Sequence, residues 1–352
     1  MPWTDDSTDL EFDPDDVAAA GSGIFGLPCD PQQARVHVLP VPFDATTSYR
    51  AGAAHGPAAV FEASKQVELF DLDFKSPWRA GIYMHPVPEA LVSLNQAAAR
   101  SVAIARDDPN EAARSAALEQ VNSIGNEVNR IVSEQVVACF ESSKLPVILG
   151  GDHSVPFGAI EVAAQRYPGL GVLHFDAHAD LRVAFEGCTW SHASILHNVL
   201  DRIDSVACVV QCGIRDLAAK EHESIRASDR VHTLFDRDWR NARAMGKSPF
   251  ELIDRTLSEL PESVWVTFDV DGLDPTLCPN TGTPVPGGFD WGETMLWLEA
   301  LARSGRRVVG VDLCEVSPGP QGDPRGESWD AIVGARLLYK LIGAALASHP
   351  EL

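Results

Sequence analysis

The chain has 352 residues, 45% of them hydrophobic, and carries 28 basic against 50 acidic side chains for a formal net charge of -22. This apolar fraction suffices for a substantial core and excludes wholesale disorder, whereas the acidic balance excludes nucleic acid and anionic membrane as main partners. No apolar run approaches the roughly 20 residues that cross a bilayer.

The first 33 residues form an acidic segment rich in Gly and Pro. We interpret residues 1–33 as a solvated extension; an arm that packs on a neighbouring subunit is the alternative. Residues 34–352 show no internal repeat or linker and are treated as one domain. The seven cysteines are odd in number and form no CxxC pair, and the N-terminus lacks a signal-peptide pattern. Together these features predict reduced thiols in a cytoplasmic protein.

Short apolar strands alternate with helices after the extension. The predicted strands are 36–42, 146–149, 170–175, 205–210, 230–234, 264–268 and 307–313. The predicted helices are 57–66, 96–143 with a break at 107–110, the run after 154 up to about 167, 217–227, 249–260, 291–302 and 329–347. This alternation predicts an α/β fold with a mostly parallel sheet and helices on both faces, and such sheets carry their sites at the carboxyl ends of the strands.

Two carboxylates and an imidazole end the strand at 170–175. Asp176, His178 and Asp180 are spaced two apart, and such residues point to one face of an extended chain. Leaving these polar groups unpaired at a buried strand end would be costly. A bound divalent metal is the simplest explanation, although one such cluster alone is more often a turn or a helix cap.

Similar groups follow two other predicted strands. His153 follows the strand 146–149, and Asp269 and Asp271 end the strand 264–268. Four carboxylates and two imidazoles are too many for one structural zinc but suit two oxygen-preferring divalent ions, with one carboxylate from each acidic cluster as a bridge. Manganese is the first choice by ligand type, with nickel or cobalt as alternatives. Two ions ~3.5–4 Å apart would hold a bridging hydroxide, which predicts metal-assisted hydrolysis.

Three nearby side chains are given supporting roles. His174 shares the parity of Asp176 but sits deeper in its strand, so we interpret it as a core histidine or as one that supports a ligand. Asp152 is expected to stabilise the loop that carries His153, and Asp274 to form a turn before Pro275.

The three clusters resemble the signature motifs of the ureohydrolase family, which includes arginase and agmatinase. The motifs are Gly-Gly-Asp-His-Ser at 150–154, Phe-Asp-Ala-His-Ala-Asp at 175–180 and Phe-Asp-Val-Asp-Gly-Leu-Asp-Pro at 268–275, and the resemblance covers about residues 35–347. It implies a three-layer αβα fold with a central parallel sheet and assembly as homotrimers or homohexamers. It also implies one metal on His153, Asp176, Asp180 and Asp269, and a second on His178, Asp176, Asp269 and Asp271.

Two further positions match the family. The segment Ser-His-Ala-Ser at 191–194 resembles the one with the proton-shuttling histidine, which makes His192 the candidate that protonates the leaving amine. The strand end Glu-Val-Ser-Pro at 315–318 makes Glu315 the candidate partner of the substrate guanidinium, whose planar fork suits a carboxylate. Structural roles at a helix start and at a turn are the respective alternatives.

The substrate is expected to be a small cationic guanidinium compound. Thr47, in the loop 43–52, and Trp291, after the Gly- and Pro-rich loop, are candidate substrate contacts; an ordinary polar turn and a helix start are the alternatives. With the N-terminal extension, these features resemble the guanidine hydrolase branch of the family, which uses nickel and splits free guanidine into ammonia and urea. That resemblance leaves room for accessory proteins that load the metal.

Other functions remain open at this point. Agmatinase or guanidinobutyrase activity is the second choice, while arginase is disfavoured because its α-amino acid contacts are missing from 182–190. A deacetylase of the same architecture would keep one metal site, and an inactive partner subunit would lose ligands. The intact set of six ligands argues against both.

Overall fold

The protein is described by a computed structural model over residues 12–28, 30–319 and 327–349. Eight strands lie within this part: β1 (Val36–Val41), β2 (Ile82–Met84), β3 (Leu145–Gly150), β4 (Leu170–Phe175), β5 (Val206–Ile214), β6 (Val231–Phe235), β7 (Ser263–Asp269) and β8 (Arg307–Cys314). They form one sheet in the order β2-β1-β3-β8-β7-β4-β5-β6, in which every neighbouring pair is parallel.

Ten α-helices are found in the described residues. They are α1 (Gly56–Ser64), α2 (Glu89–Asp107), α3 (Glu111–Glu141), α4 (Phe157–Arg166), α5 (Ile195–Arg202), α6 (Ala219–Ala227), α7 (Asp236–Ala244), α8 (Pro249–Leu257), α9 (Trp291–Arg303) and α10 (Trp329–Ala347). None of these helices combines the length and the apolar character needed to cross a bilayer.

Helices cover both faces of the sheet. Alternate strand residues enter two apolar clusters, so Val147 belongs to one cluster and Ile148 to the other. The first cluster includes residues of α1, α9 and α10, and the second includes residues of α3, α4 and α5. A parallel sheet buried on both sides requires such continuous apolar strands. The three-layer αβα prediction is therefore confirmed.

The seven predicted strands are all present, and the predicted break near 107–110 separates α2 from α3. The side chain of Asn110 accepts a hydrogen bond from the Ala112 N–H and so caps the N-terminus of α3. The sequence prediction missed β2, α5 and α7. Strand β2 has only three residues at the sheet edge, and α7 buries only Asp236, Trp239 and Ala242, which leaves little apolar pattern to recognise.

The interpretation of the N-terminal segment as a solvated arm is wrong for residues 24–27. Ile24, Phe25 and Leu27 are buried in the core of their own chain. The Phe25 N–H donates to Ser64 Oγ over 2.8 Å, and its ring lies 4.9 Å from that of Tyr339. Residues 13–23 remain largely exposed. The segment is thus anchored against α1 and α10, while residues 1–11 and Cys29 lie outside the described part.

Candidate metal centre

The predicted ligands meet where four central strands end. His153 follows β3, Asp176 follows β4, Asp269 ends β7 and Glu315 follows β8. In the sheet, β8 and β7 lie between β3 and β4, so the four strand ends are consecutive at one edge. The parallel arrangement therefore brings together side chains that are far apart in the sequence.

One cluster forms around the ring of His153. Its Nδ1 atom lies 3.0 Å from Asp176 Oδ2, 3.2 Å from Asp180 Oδ2 and 3.5 Å from Asp269 Oδ2. All four side chains are almost fully buried. Asp180 has a φ of 54°, a left-handed conformation uncommon for residues other than glycine and typical of functional sites.

A second cluster adjoins the first and shares one carboxylate with it. The Nδ1 atom of His178 lies 3.0 Å from Asp271 Oδ2 and 3.5 Å from Asp176 Oδ1. Asp176 thus offers Oδ2 to the first cluster and Oδ1 to the second. Asp269 offers Oδ2 to the first cluster, while its Oδ1 accepts the N–H of Asp271 over 2.8 Å.

The carboxylates of this centre repel one another in the absence of cations. Burial, with the charge of Asp176, raises the pKa of Asp180 to about 7. Burial, with the charges of Asp271 and Asp176, raises the pKa of Asp269 well above its usual range. Burial alone would lower the pKa of His178, but Asp271 and Asp176 raise it to about 12. A buried set of imidazoles and carboxylates with these shifts fits divalent ions, which neutralise acidic groups that water cannot reach.

Removing divalent ions is expected to make the stability of the protein fall as pH rises from about 4 to about 7. Asp180 changes from a pKa of 3.8 when unfolded to about 7 when folded, so the folded chain binds more protons in that window and loses stability as they leave. The raised pKa values of Asp269 and Asp271 act in the same direction, and the lowered pKa of Asp176 opposes them.

Thermal unfolding with a chelator and with Mn²⁺, at pH values between 5 and 8, measures this effect. We expect Mn²⁺ to raise the unfolding temperature most at the highest pH. An equal metal-induced shift at every pH would show that the carboxylates are not mutually repelling.

His192 lies beside the second cluster, in the short 3-10 helix His192–Ser194 before α5. Its ring packs edge-on to Phe185 at a centroid distance of 6.0 Å. Burial, with the positive charge of His178, lowers the pKa of His192 to about 4. The ring is therefore neutral near pH 7 and can accept a proton.

Glu315 has one free carboxylate oxygen. Its Oε1 accepts the backbone N–H of His153 over 3.0 Å, while its buried Oε2 has no hydrogen-bond partner among the described residues. Burial, with the charge of Asp152, raises the pKa of Glu315 well above its usual range. The residue also has a φ of 64°. An unpartnered buried acceptor held in a strained backbone conformation is suited to a cationic ligand.

A cavity of about 260 Å³ opens beside these clusters, and Glu315 is not among the described residues that line it. Its lining includes His178, Asp180 and His192, together with Ser48, Phe185, Asp216 and Thr283, which the sequence analysis did not single out as site residues. Ser48 belongs to the same loop as the predicted contact Thr47, and Thr283 belongs to the loop that precedes the predicted contact Trp291. The sequence therefore indicated the loops that line the cavity but not the residues.

Thr47 and Trp291 are not among the residues that line this cavity. The Thr47 hydroxyl donates to the Asp44 carbonyl over 2.9 Å, within its own turn. Trp291 is the first residue of α9 and packs against the first apolar cluster. In both cases the observed contacts are those of the structural alternative.

Several buried polar residues form hydrogen bonds to the candidate ligands or to the loops that carry them. His174 Nε2 lies 2.8 Å from Asp176 Oδ2, and its Nδ1 accepts from Gln211 Nε2 over 3.1 Å. Asp152 accepts hydrogen bonds from the hydroxyl of Thr46 and the N–H of Ser154, and so fixes the loop that carries His153. The sequence placed His174 and Asp152 in supporting roles, but nothing in it pointed to Gln211.

Comparison with known proteins identifies relatives of the whole domain. A model of the Arginase family matches residues 34–343. The N(1)-aminopropylagmatine ureohydrolase of Thermus thermophilus is 32% identical over 91% of this chain and 94% of its own length. An agmatinase of Pyrococcus horikoshii is 29% identical over 87% of this chain and 90% of its own length.

Solved structures share the fold. A proclavaminate amidino hydrolase from Streptomyces clavuligerus has a TM-score of 0.71 and 22% identity, covering 95% of this chain and all of its own. An agmatine ureohydrolase of Thermoplasma volcanium has a TM-score of 0.65 and 22% identity, covering 90% of this chain and 91% of its own. At this identity the likeness establishes the architecture alone.

Proposed function

This chain belongs to the arginase family and is a hydrolase of carbon–nitrogen bonds in linear amidines, and we propose that it releases urea from free guanidine or a small guanidine derivative. The observation that carries the proposal is the buried Oε2 of Glu315, which has no partner in the described part of the chain and belongs to a carboxylate that contacts the His153 loop. A guanidinium offers paired N–H donors and a positive charge to such an oxygen.

Two divalent ions complete the proposed site. His153, Asp176, Asp180 and Asp269 would hold one ion, and His178, Asp176, Asp269 and Asp271 the other. When bound, the ions supply Lewis acidity and lower the pKa of a coordinated water toward 7. Manganese is favoured by the carboxylate-rich donor set, and nickel by the resemblance to guanidine hydrolases.

The remaining chemistry falls to two side chains. Glu315 would hold the guanidinium through Oε2 while its Oε1 stays bonded to the His153 N–H. His192 is neutral near pH 7, and it would take a proton at a ring nitrogen and deliver it to the leaving nitrogen. For free guanidine the products are ammonia and urea.

The test is urea release by the protein loaded with Mn²⁺ or with Ni²⁺, measured side by side on guanidine, agmatine, guanidinobutyrate and arginine. We expect guanidine to give the highest kcat/KM and arginine the lowest. Urea from none of the four substrates would contradict the proposed activity.

Agmatine or a related amine is the second candidate, and the acidic cavity rim favours it. Asp216 lines the cavity, is exposed and makes no ion pair within the described residues. The other rim charges, Arg182 and Glu221, face each other at 3.7 Å. The uncompensated Asp216 carboxylate suits the amino end of agmatine. If agmatine is the substrate, Asp216→Asn raises its KM about 2- to 5-fold, whereas Asp254→Asn, on α8 outside the cavity, leaves KM unchanged.

The proposal extends to the setting of the enzyme. The six cysteines in the described residues are free and buried, which suits a reducing, cytoplasmic environment. Assembly as a homotrimer or homohexamer and loading by accessory proteins follow from the family resemblance alone. Size-exclusion chromatography with light scattering measures the assembly directly.

A further inference from the structure

The second ring nitrogen of His153 begins a chain of hydrogen bonds that leads away from the metal centre. Its Nε2 lies 2.8 Å from Thr267 Oγ1, and Thr267 Oγ1 lies 2.7 Å from Asp312 Oδ1. Trp265 Nε1 donates to Asp312 Oδ2 over 2.6 Å. All four side chains are buried, with exposures of 0 to 1%.

Trp265 and Asp312, which lie at the end of this series of hydrogen bonds away from the metal centre, determine the direction of each bond. Trp265 Nε1–H can only donate, and an ionised Asp312 can only accept. The Thr267 hydroxyl must therefore give its hydrogen to Asp312 and accept one from His153 Nε2–H. That leaves His153 Nδ1, the atom facing Asp176, Asp180 and Asp269, without a hydrogen when the ring is neutral.

We propose that Trp265, Asp312 and Thr267 are positioning residues that fix the tautomer of His153 and so direct its bare Nδ1 toward a divalent ion. The inference rests on the proposed function for the presence of that ion. It assigns the chain of residues behind His153 a task beyond packing. Metal-binding histidines are commonly oriented through their other ring nitrogen, and losing that partner typically weakens metal binding about 10- to 100-fold.

The pairing of β7 with β8 positions the residues of this hydrogen-bond chain. Thr267 of β7 and Asp312 of β8 are direct partners in the parallel register. Trp265 reaches Asp312 because Gly310, its own register partner, leaves room for the indole: a Cβ at Gly310 would lie 2.1 Å from the ring. Position 310 therefore requires glycine, because any side chain there would clash with the Trp265 ring.

A metal ion on the far side of His153 is the competing explanation, because His153, Asp312 and Cys314 also lie close together. Their polar atoms are already engaged. The Thr267 hydroxyl occupies the space next to Nε2, and both oxygens of Asp312 accept hydrogen bonds from neutral donors. Cys314 Sγ lies 3.7 Å from Asp312 Oδ1, as a weak donor to it. These contacts favour the hydrogen-bond chain.

Asp312→Asn reverses the donor and acceptor roles in these hydrogen bonds, while the side chain keeps its shape. Trp265 holds the amide oxygen, so the amide nitrogen faces Thr267 and donates to it. The Thr267 hydroxyl then donates to His153 Nε2, which moves the ring hydrogen to Nδ1, where it competes with the metal. We expect the variant to bind Mn²⁺ at the His153 cluster about 10- to 100-fold more weakly and to retain one Mn²⁺ per chain where the unaltered protein retains two. Titration against a competing chelator measures both quantities.

Controls separate this role from a structural one. Thr267→Val removes the relay and is expected to weaken Mn²⁺ binding, whereas Thr267→Ser keeps the hydroxyl and the affinity. The Thr267 pair decides the question if Asp312→Asn does not fold. Unchanged Mn²⁺ affinity in folded Asp312→Asn, or equal affinities of the valine and serine variants, would overturn the proposal, even if the metal-free variant unfolds at a lower temperature. Mn²⁺ binding without urea release by the unaltered protein contradicts the proposed function alone.

Discussion

Replacing Asp176 with alanine is expected to abolish urea release and to remove both metal ions from the chain. Asp176 gives one carboxylate oxygen to the His153 cluster and the other to the His178 cluster, so its loss removes a ligand from both proposed ion sites at once. We expect kcat/KM to fall by at least about 1,000-fold, equivalent to roughly 4 kcal/mol of transition-state stabilisation. Elemental analysis of the purified variant gives the metal content.

Asp274→Ala is the matched control for this variant. Asp274 follows the same strand as Asp269, but its carboxylate accepts hydrogen bonds from the backbone and hydroxyl of Thr276 in a turn. The control should keep two ions per chain. An Asp176→Ala protein with unaltered metal content would refute the shared-ligand interpretation, and a single zinc per unaltered chain would instead favour a deacetylase-like site.

Replacing Glu315 with glutamine is expected to weaken guanidinium binding strongly while leaving the metal content unchanged. The amide oxygen can still accept the His153 N–H, but an amide N–H then faces the N–H groups of the substrate. Removing one partner of a buried charge pair costs about 2–5 kcal/mol, a decrease in kcat/KM of about 30- to 5,000-fold. Steady-state kinetics and metal analysis of the same preparation test both statements.

The stability of this variant provides a second readout. Because the pKa of Glu315 is raised, its ionised form destabilises the metal-free protein at pH 7, and Glu315→Gln should unfold at a higher temperature under those conditions. Glu259→Gln, which removes an exposed charge, controls for the change in net charge. Unaltered kinetics in Glu315→Gln would show that the Glu315 carboxylate does not bind the substrate.

The sequence predicted the strands that matter most because they are apolar on both faces. The run from Leu170 to Phe175 could be placed without any tertiary information, and the polar residues after it could be assigned to a strand end. Helix α7 could not be recognised, since its sequence DRDWRNARA carries charged residues on most of its surface. Its place is decided by Trp239, which packs against the rings of Phe289 and Trp297.

The candidate ligands could be placed at strand ends from the sequence, but their local geometry could not be predicted. Asp180 has a left-handed φ of 54°, and Asp271 lies in the 3-10 helix Val270–Gly272 rather than in extended backbone. Contacts of loop residues depend on side-chain directions that spacing does not determine, and so Ser48 lines the cavity rather than the neighbouring Thr47. Thr267 shares the parity of Asp269, which could have suggested it. Its pairing with Asp312 follows only from the adjacency of β7 and β8.

The central position of β8 has a consequence for the order in which this chain folds. Strand β8 is the last of the eight described strands along the chain, yet among them it alone joins the half-sheet β2-β1-β3 to the half-sheet β7-β4-β5-β6. During synthesis the two halves remain unpaired until residues 307–314 are available, and such long-range pairing is slow. His153 belongs to one half and Asp176 to the other. The candidate metal centre is therefore completed only after residues 307–314 have been made, so its ions would be captured after this point of synthesis.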